Sequence, residues 1–307
     1  MNNVKSVGII GLGRMGGNIA IHLAEQGIQI VAYNRTHQKA VEFAKVAGAN
    51  ATAVATYEEL AAKLHSPRIV LLYLPSMQPT HDAIVEIAKY LTPGDTVVDC
   101  GNNHYKQALT HEKELSEKSI QFLDCGTSGG TEGARHGACL MIGGKSETFK
   151  NAEWLFKAIA MKDGYGYMGP AGAGHFVKMT HNGIEYAMLQ AYADGFQLLH
   201  EGPYSANLNF AKISDVWNHG SVVRSWLLEL AQAKFFSEPR LESILGSVGG
   251  GETGGWTVEQ AHAQNTPVPS IELAVKFREE SQSKPSFAGQ VIAAIRNGFG
   301  AHEVKKK

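Results

Sequence analysis

Lys178, Asn182 and Glu185 stand at positions i, i+4 and i+7 of an apolar run that extends to about residue 200 without a proline. At 3.6 residues per turn this spacing puts an amine, an amide and a carboxyl on one helical face, flanked by His181 and Tyr186. Val177, Ile184, Met188, Ala191 and Leu198 recur near the same period and make the run helical. Polar groups of three kinds on one stripe are costly to bury unless they serve one another or a ligand. In isolation, a Lys–Glu pair on a solvated face explains the stripe equally well. The segments that surround it decide between the two.

The first such segment opens the chain. Ser6–Ile10 reads as a buried strand that runs into Gly11-Leu12-Gly13-Arg14-Met15-Gly16, then a helical pattern to Gln26 with Gly27 as its cap. Gln29–Tyr33 is a second strand and completes a βαβ unit. Glycines at this spacing permit a tight turn and close approach to a pyrophosphate, which the helix N-terminus favours by its amides and dipole. At the end of the second strand, where NAD sites carry a carboxylate, this chain has Asn34-Arg35-Thr36. A guanidinium and two small polar groups suit a ribose 2′-phosphate, so NADP is expected, with NAD as the alternative.

Strand–helix alternation continues. Helical patterns at 38–47, 80–90, 104–118 and 147–160 separate strands at 68–74, 95–99, 121–124 and 138–142. The pattern predicts an α/β fold: an N-terminal Rossmann-type doubly wound parallel sheet over residues 1–172. Leu74-Pro75 and Asn102 follow strand ends, where ligands bind in such sheets. The glycine-rich stretch 126–134 carries Ser128-Gly129-Gly130 and reads as a loop, offering a hydroxyl and unobstructed amides to a carboxylate. A glycine-rich hinge at 169–174 precedes the catalytic stripe. Beyond residue 200 only helical patterns follow, at Phe210–Asn218, 222–236, Pro269–Ser281 and 287–299, broken by a glycine-rich stretch at 246–255. Residues 173–307 are thus expected to form an all-α substrate and dimerisation domain.

Bulk properties exclude several classes. The chain has 307 residues, 44% hydrophobic and 19% charged, with a net charge of −1. That balance gives no electrostatic basis for binding nucleic acid or an anionic membrane. No apolar run reaches membrane-spanning length. Cys100, Cys125 and Cys139 are too few and too scattered for a disulfide framework or zinc site, and no metal ligands cluster, so a reducing cytoplasm is the expected setting.

These motifs together resemble the 6-phosphogluconate dehydrogenase family, within the wider β-hydroxyacid dehydrogenases, in its short form. Residues 11–16 and 34–36 match its NADP motif, and Asp99-Cys100-Gly101-Asn102 resembles its Asp-Gly-Gly-Asn stretch with a cysteine in place of one glycine. Ser128-Gly129-Gly130 matches its substrate loop, and Lys178-Met179-x-His181-Asn182-Gly183-Ile184-Glu185-Tyr186 its catalytic helix. Arg224-Ser225 resembles a phosphate-contacting segment, and Arg296 to His302 the C-terminal segment that in the family reaches a partner subunit's substrate. The stretch 249–256 lacks the lysine that the long forms place beside it. The resemblance implies oxidative decarboxylation of 6-phosphogluconate, a step of the pentose phosphate pathway and of gluconate utilization, in a homodimer or tetramer. It implies Lys178 as base, Glu185 as acid and Asn182 as orienting amide. Ser128, Gly129, Gly130 and His181 meet the carboxylate end, Asn102 the nicotinamide ribose or the substrate, and Tyr186, Arg224, Arg296 and His302 the phosphate. A non-phosphorylated 3-hydroxy or sugar acid is the alternative substrate. A non-catalytic dinucleotide-binding protein is the alternative of another class.

Overall fold

The computed structural model describes residues 5–250 and 252–307. The chain divides into two compact units, Met1–Lys178 and Met179–Lys307.

The first unit is built on an eight-stranded sheet. Its strands are β1 (Ser6–Ile10), β2 (Gln29–Tyr33), β3 (Ala51–Val54), β4 (Ile69–Leu72), β5 (Thr96–Asp99), β6 (Gln121–Ser128), β7 (Ala138–Gly144) and β8 (Ala160–Gly169). Their order is β3-β2-β1-β4-β5-β6-β7-β8, parallel throughout except for the antiparallel β6–β7 pair. The connecting helices are α1 (Arg14–Glu25), α2 (His37–Ala47), α3 (Tyr57–Lys63), α4 (Gln78–Ile87), α5 (Tyr105–Ser116), α6 (Gly130–His136) and α7 (Ser146–Ile159). Strands such as Ile-Val-Leu-Leu in β4 are apolar on both faces because helices cover both. Alternation sends Ile9 into one core with Ile19, Leu23 and Phe156, and Ile10 into the other with Leu72, Ile84 and Leu115. Strand order reverses between β1 and β4, which opens a crevice at the strands' carboxyl ends.

Six elements depart from the sequence reading. β3 (Ala51–Val54) and α3 (Tyr57–Lys63) escape it, because the short alanine-rich strand shows too little periodicity to register. β6 runs on to Ser128, and α6 begins at Gly130, so the expected loop is a strand end followed by a helix. β8 is an edge strand with a largely exposed, glycine-interrupted sequence, which conceals its period. α11 (Glu252–Ala263) begins inside the glycine-rich stretch expected to break the helices. Gly251 in that stretch lies outside the described residues.

α8 (Ala173–Glu201) is a single helix of 29 residues shared by the two units. In the second unit it is joined by α9 (Phe210–Asn218), α10 (Trp226–Ser237), α11, α12 (Pro269–Ser281) and α13 (Phe287–Gly300). Phe196, Phe210, Phe235 and Phe287 form the aromatic centre of this unit's core. On α8 the buried side is Met179, Asn182, Tyr186, Leu189, Ala193 and Phe196, whereas Ile184, Met188 and Leu198 are exposed. Among the described residues no helix is long and apolar enough to cross a membrane.

Candidate functional site

The glycine turn after β1 leaves no room for side chains. A Cβ on Gly11, whose φ is +98°, would lie 2.4 Å from the Tyr73 carbonyl oxygen, and one on Gly16 would lie 2.0 Å from the Gly11 carbonyl oxygen. Gly13 faces open space. It is also the N-cap of α1, with no side chain capping the helix and no acidic residue in the first turn. An anion is the natural occupant of such an end. The adjoining cleft of about 350 Å³ is lined by Gly13, Arg14, Met15, Gly16, Tyr73, Leu74, Pro75, Cys100, Gly101, Asn102 and Thr127. The residues present therefore fit a dinucleotide, with Gly11 to Gly16 and Leu12 at its pyrophosphate.

At the end of β2, Asn34 is engaged within the turn. Its Oδ1 accepts from the Leu12 amide at 3.0 Å, and its Nδ2 donates to the Thr36 carbonyl at 3.1 Å. Asn34 thus ties the glycine turn to β2, a role that the motif alone does not reveal. Arg35 and Thr36 are exposed beside it.

Lys178 is seated in the same unit. A Cβ on Gly126 would lie 2.3 Å from the Lys178 Cβ, so this strand position admits the lysine stem only because it is glycine. The next residues of β6 are Thr127, which lines the cleft, and Ser128, which pairs in register with Cys139 of β7. Burial pushes the Cys139 thiol up, and the Lys178 charge acts on it in the opposite sense. The start of α8 is clamped by a carboxylate absent from the sequence reading. Asp124 Oδ1 accepts from the Gly172 amide and Oδ2 from the His175 amide, both at 2.7 Å. A Cβ on Gly174 would lie 2.4 Å from the Met141 carbonyl, so the helix rests directly on β7. Gly129 holds the left-handed turn, at φ +112°, between Ser128 and α6.

A second missed residue is Asn103, buried beside the exposed Asn102. Its Nδ2 donates to both Asp99 carboxylate oxygens and its Oδ1 accepts from the Met77 amide. Asp99 also accepts from the Gly101 amide at 2.9 Å and meets His175 Nε2 at 3.2 Å. Burial pulls the His175 imidazole down, but the Asp99 charge, its hydrogen bond and Asp124 outweigh it and hold the ring above its ordinary value. Burial pushes Asp99 up, yet His175, the Gly101 amide and His111 hold it below the usual carboxylate range.

In the second unit Asn182 is buried, with Oδ1 3.2 Å from His181 Nδ1. Tyr186, one turn on, carries the Arg278 guanidinium over its ring, 3.2 Å from the centroid. Arg278 on α12 is 3% exposed, and its Nη2 is buried without a hydrogen-bond partner among the described residues. Burial pushes it down to about 10, and the Arg296 charge pushes the same way against Tyr186 and Glu185. Arg296 is likewise lowered by burial against those two groups, and its Nη1 donates to the Gly249 carbonyl. The Arg278 and Arg296 charges act against each other, and a bound anion relieves both. Arg278 escaped the sequence reading; its only signal is a charge at helical spacing from Ala274 and Ser281. Arg224 is exposed just before α10. The His302 ring packs against Phe299 near Gly300.

Residues 6–182 match the NAD binding domain of 6-phosphogluconate dehydrogenase, and residues 174–291 its C-terminal domain. A Bacillus subtilis protein, YqeC, provisionally named a 6-phosphogluconate dehydrogenase, is 41% identical over 302 residues, covering 98% of this chain and 99% of its own. The NAD(+)-dependent, decarboxylating 6-phosphogluconate dehydrogenase of Haloferax volcanii is 38% identical over 303 residues, with the same coverage. Among solved structures, Plasmodium falciparum 6-phosphogluconate dehydrogenase, studied with NADP+ and with 6-phosphogluconate, superposes with a TM-score of 0.82 at 30% identity. That match covers 91% of this chain and 62% of the other. Mycobacterium tuberculosis 3-hydroxyisobutyrate dehydrogenase, at 18% identity and a TM-score of 0.74, shares the fold.

Proposed function

The chain belongs to the 6-phosphogluconate dehydrogenase family, and on that premise we propose that it oxidatively decarboxylates 6-phosphogluconate to ribulose 5-phosphate and carbon dioxide, preferring NADP to NAD. It is an oxidoreductase with a nicotinamide dinucleotide domain. The observation that carries the finer reading is the seat of Lys178 on Gly126, one residue from the cleft-lining Thr127 and two from Ser128.

When bound, the nicotinamide accepts the hydride that leaves the substrate carbon. Lys178, as a neutral amine, removes the hydroxyl proton in that step. The lysine, now protonated, stabilises charge on the keto oxygen as carbon dioxide leaves. Glu185, seven residues along α8, delivers a proton to carbon of the resulting enediol. Asn182 orients the reacting oxygens. Asn102, Ser128, Gly129, Gly130 and His181 hold the carboxylate end. Tyr186, with the Arg278 guanidinium over its ring, takes the phosphate together with Arg224, Arg296 and His302. A substrate without a phosphate leaves the buried Arg278 guanidinium, with the Arg296 charge acting against it, no anion to bind, which disfavours a plain 3-hydroxy acid.

The proposal includes a homo-oligomer, a dimer or tetramer as in the family resemblance. The exposed row Ile184, Met188 and Leu198 on α8 is the surface that a second copy would cover, and sedimentation velocity reads it. The chemistry is tested by Lys178→Met. Substrate-dependent cofactor reduction is expected to disappear while cofactor binding, read by quenching of protein fluorescence, is retained. Substantial residual turnover rejects Lys178 as the base.

A further inference from the structure

We propose that His175 is a positioning residue that locks Lys178 to the cofactor-side loop through a buried imidazole–carboxylate pair with Asp99. The inference rests on Lys178 being the base. His175 stands three residues before Lys178, so the two share one side of the first turns of α8. Its backbone amide is held by Asp124, and its ring meets Asp99 at 3.2 Å, with side-chain exposures of 1% for His175 and 0% for Asp99. Asp99 in turn fixes the Gly101 amide and, through Asn103, the Met77 amide. Gly101 and its neighbour Asn102 line the cleft, and Met77 follows its Leu74-Pro75 edge. One continuous set of hydrogen bonds therefore runs from the lysine's helix to two walls of the cofactor cleft. The groups facing His175 are Asp99 from β5 and Asp124 from β6, with His111 of α5 acting on both Asp99 and His175. A buried ion pair is a weak source of stability, and well-packed apolar groups replace such pairs at little loss. Its value here lies in fixing distance between the proton acceptor and the cofactor, where a displacement of about 1 Å lowers rate roughly 100-fold.

The test compares His175→Leu, His175→Gln and Asp99→Asn with the intact enzyme, using 6-phosphogluconate and NADP. In His175→Leu, kcat is expected to fall about 100-fold, NADP binding by fluorescence quenching to weaken, and the melting temperature to fall, because Asp99 is left buried without its cation. His175→Gln, which keeps a donor toward Asp99, recovers most of kcat. The His175 ring, followed by NMR, titrates above its ordinary value in the wild type and returns toward it in Asp99→Asn. If His175→Leu is folded and both kcat and NADP affinity are unchanged, the proposal is overturned. If it does not fold, Asp99→Asn decides: unchanged kcat and NADP affinity there overturn the proposal equally. A fully active Lys178→Met sinks the assignment of the base. A dead Lys178→Met beside a fully active His175→Leu sinks only the positioning role.

Discussion

Gly126→Ala tests the seat of the lysine without altering any group that takes part in chemistry. The added methyl would stand 2.3 Å from the Lys178 Cβ, 2.9 Å from its Cγ and 3.1 Å from the Gly174 carbonyl oxygen, where ordinary contact begins at 3.4 Å. The lysine stem must therefore yield by about 1 Å. It has little room to do so. Asp124 holds the helix start through two amides, and Gly174 already lies against Met141 and Asp124. Overpacking of this kind costs about 1–3 kcal/mol of stability. A displacement of about 1 Å at a reacting group lowers kcat about 100-fold. The glycine turn at 11–16 is untouched, so cofactor affinity is expected to hold. The assay is steady-state reduction of NADP by 6-phosphogluconate, with a melting curve and a cofactor titration on the same sample. A kcat within about twofold of wild type, at an unchanged melting temperature, refutes this account of how Lys178 is placed.

Three further outcomes are expected. Arg35→Ala lowers kcat/KM for NADP by about 10- to 100-fold, the loss of one or two charge-assisted hydrogen bonds, and leaves NAD use unchanged. A wild-type preference for NAD, the cofactor in the name of the Haloferax volcanii relative, contradicts the assignment. Arg278→Met raises KM for 6-phosphogluconate by about 10-fold or more and spares activity on gluconate, measured side by side; equal effects on both substrates remove Arg278 from the phosphate site. The His175–Asp99 pair gives a signed pH dependence. His175 is raised in the folded state, so its contribution is complete below 6.5 and is lost as pH rises through the folded value. Asp99 is lowered, so its contribution is present above 3.8 and is lost as pH falls. Urea unfolding from pH 6.5 upward should show stability falling by at most about 1.4 kcal/mol per pH unit from this pair, a slope that Asp99→Asn abolishes.

The sheet, the glycine turn and the long helix α8 were legible because each has a local signal: apolar strands, glycines at fixed spacing, and an unbroken run of helical period. β8 and β3 lack such signals, since an edge strand and a short alanine-rich one need no strong alternation. The residues that hold the site together were less visible for a different reason. Asp124, Asn103 and His175 act through contacts 26 to 76 residues apart in the chain, which no local pattern encodes. Arg278 lies 92 positions from Tyr186, and nothing in its own helix marks it as more than a surface charge. Asn34 was legible as a motif residue but not in its structural role, because the motif does not say that its carboxamide is engaged by Leu12 and Thr36.

The central claim is decarboxylation coupled to oxidation at Lys178. Carbon dioxide released from 6-phosphogluconate, counted against NADPH formed in the same reaction, tests it most directly. The account predicts one molecule of each per turnover. NADPH without carbon dioxide, or no turnover of 6-phosphogluconate beside ready oxidation of 3-hydroxyisobutyrate, would contradict it.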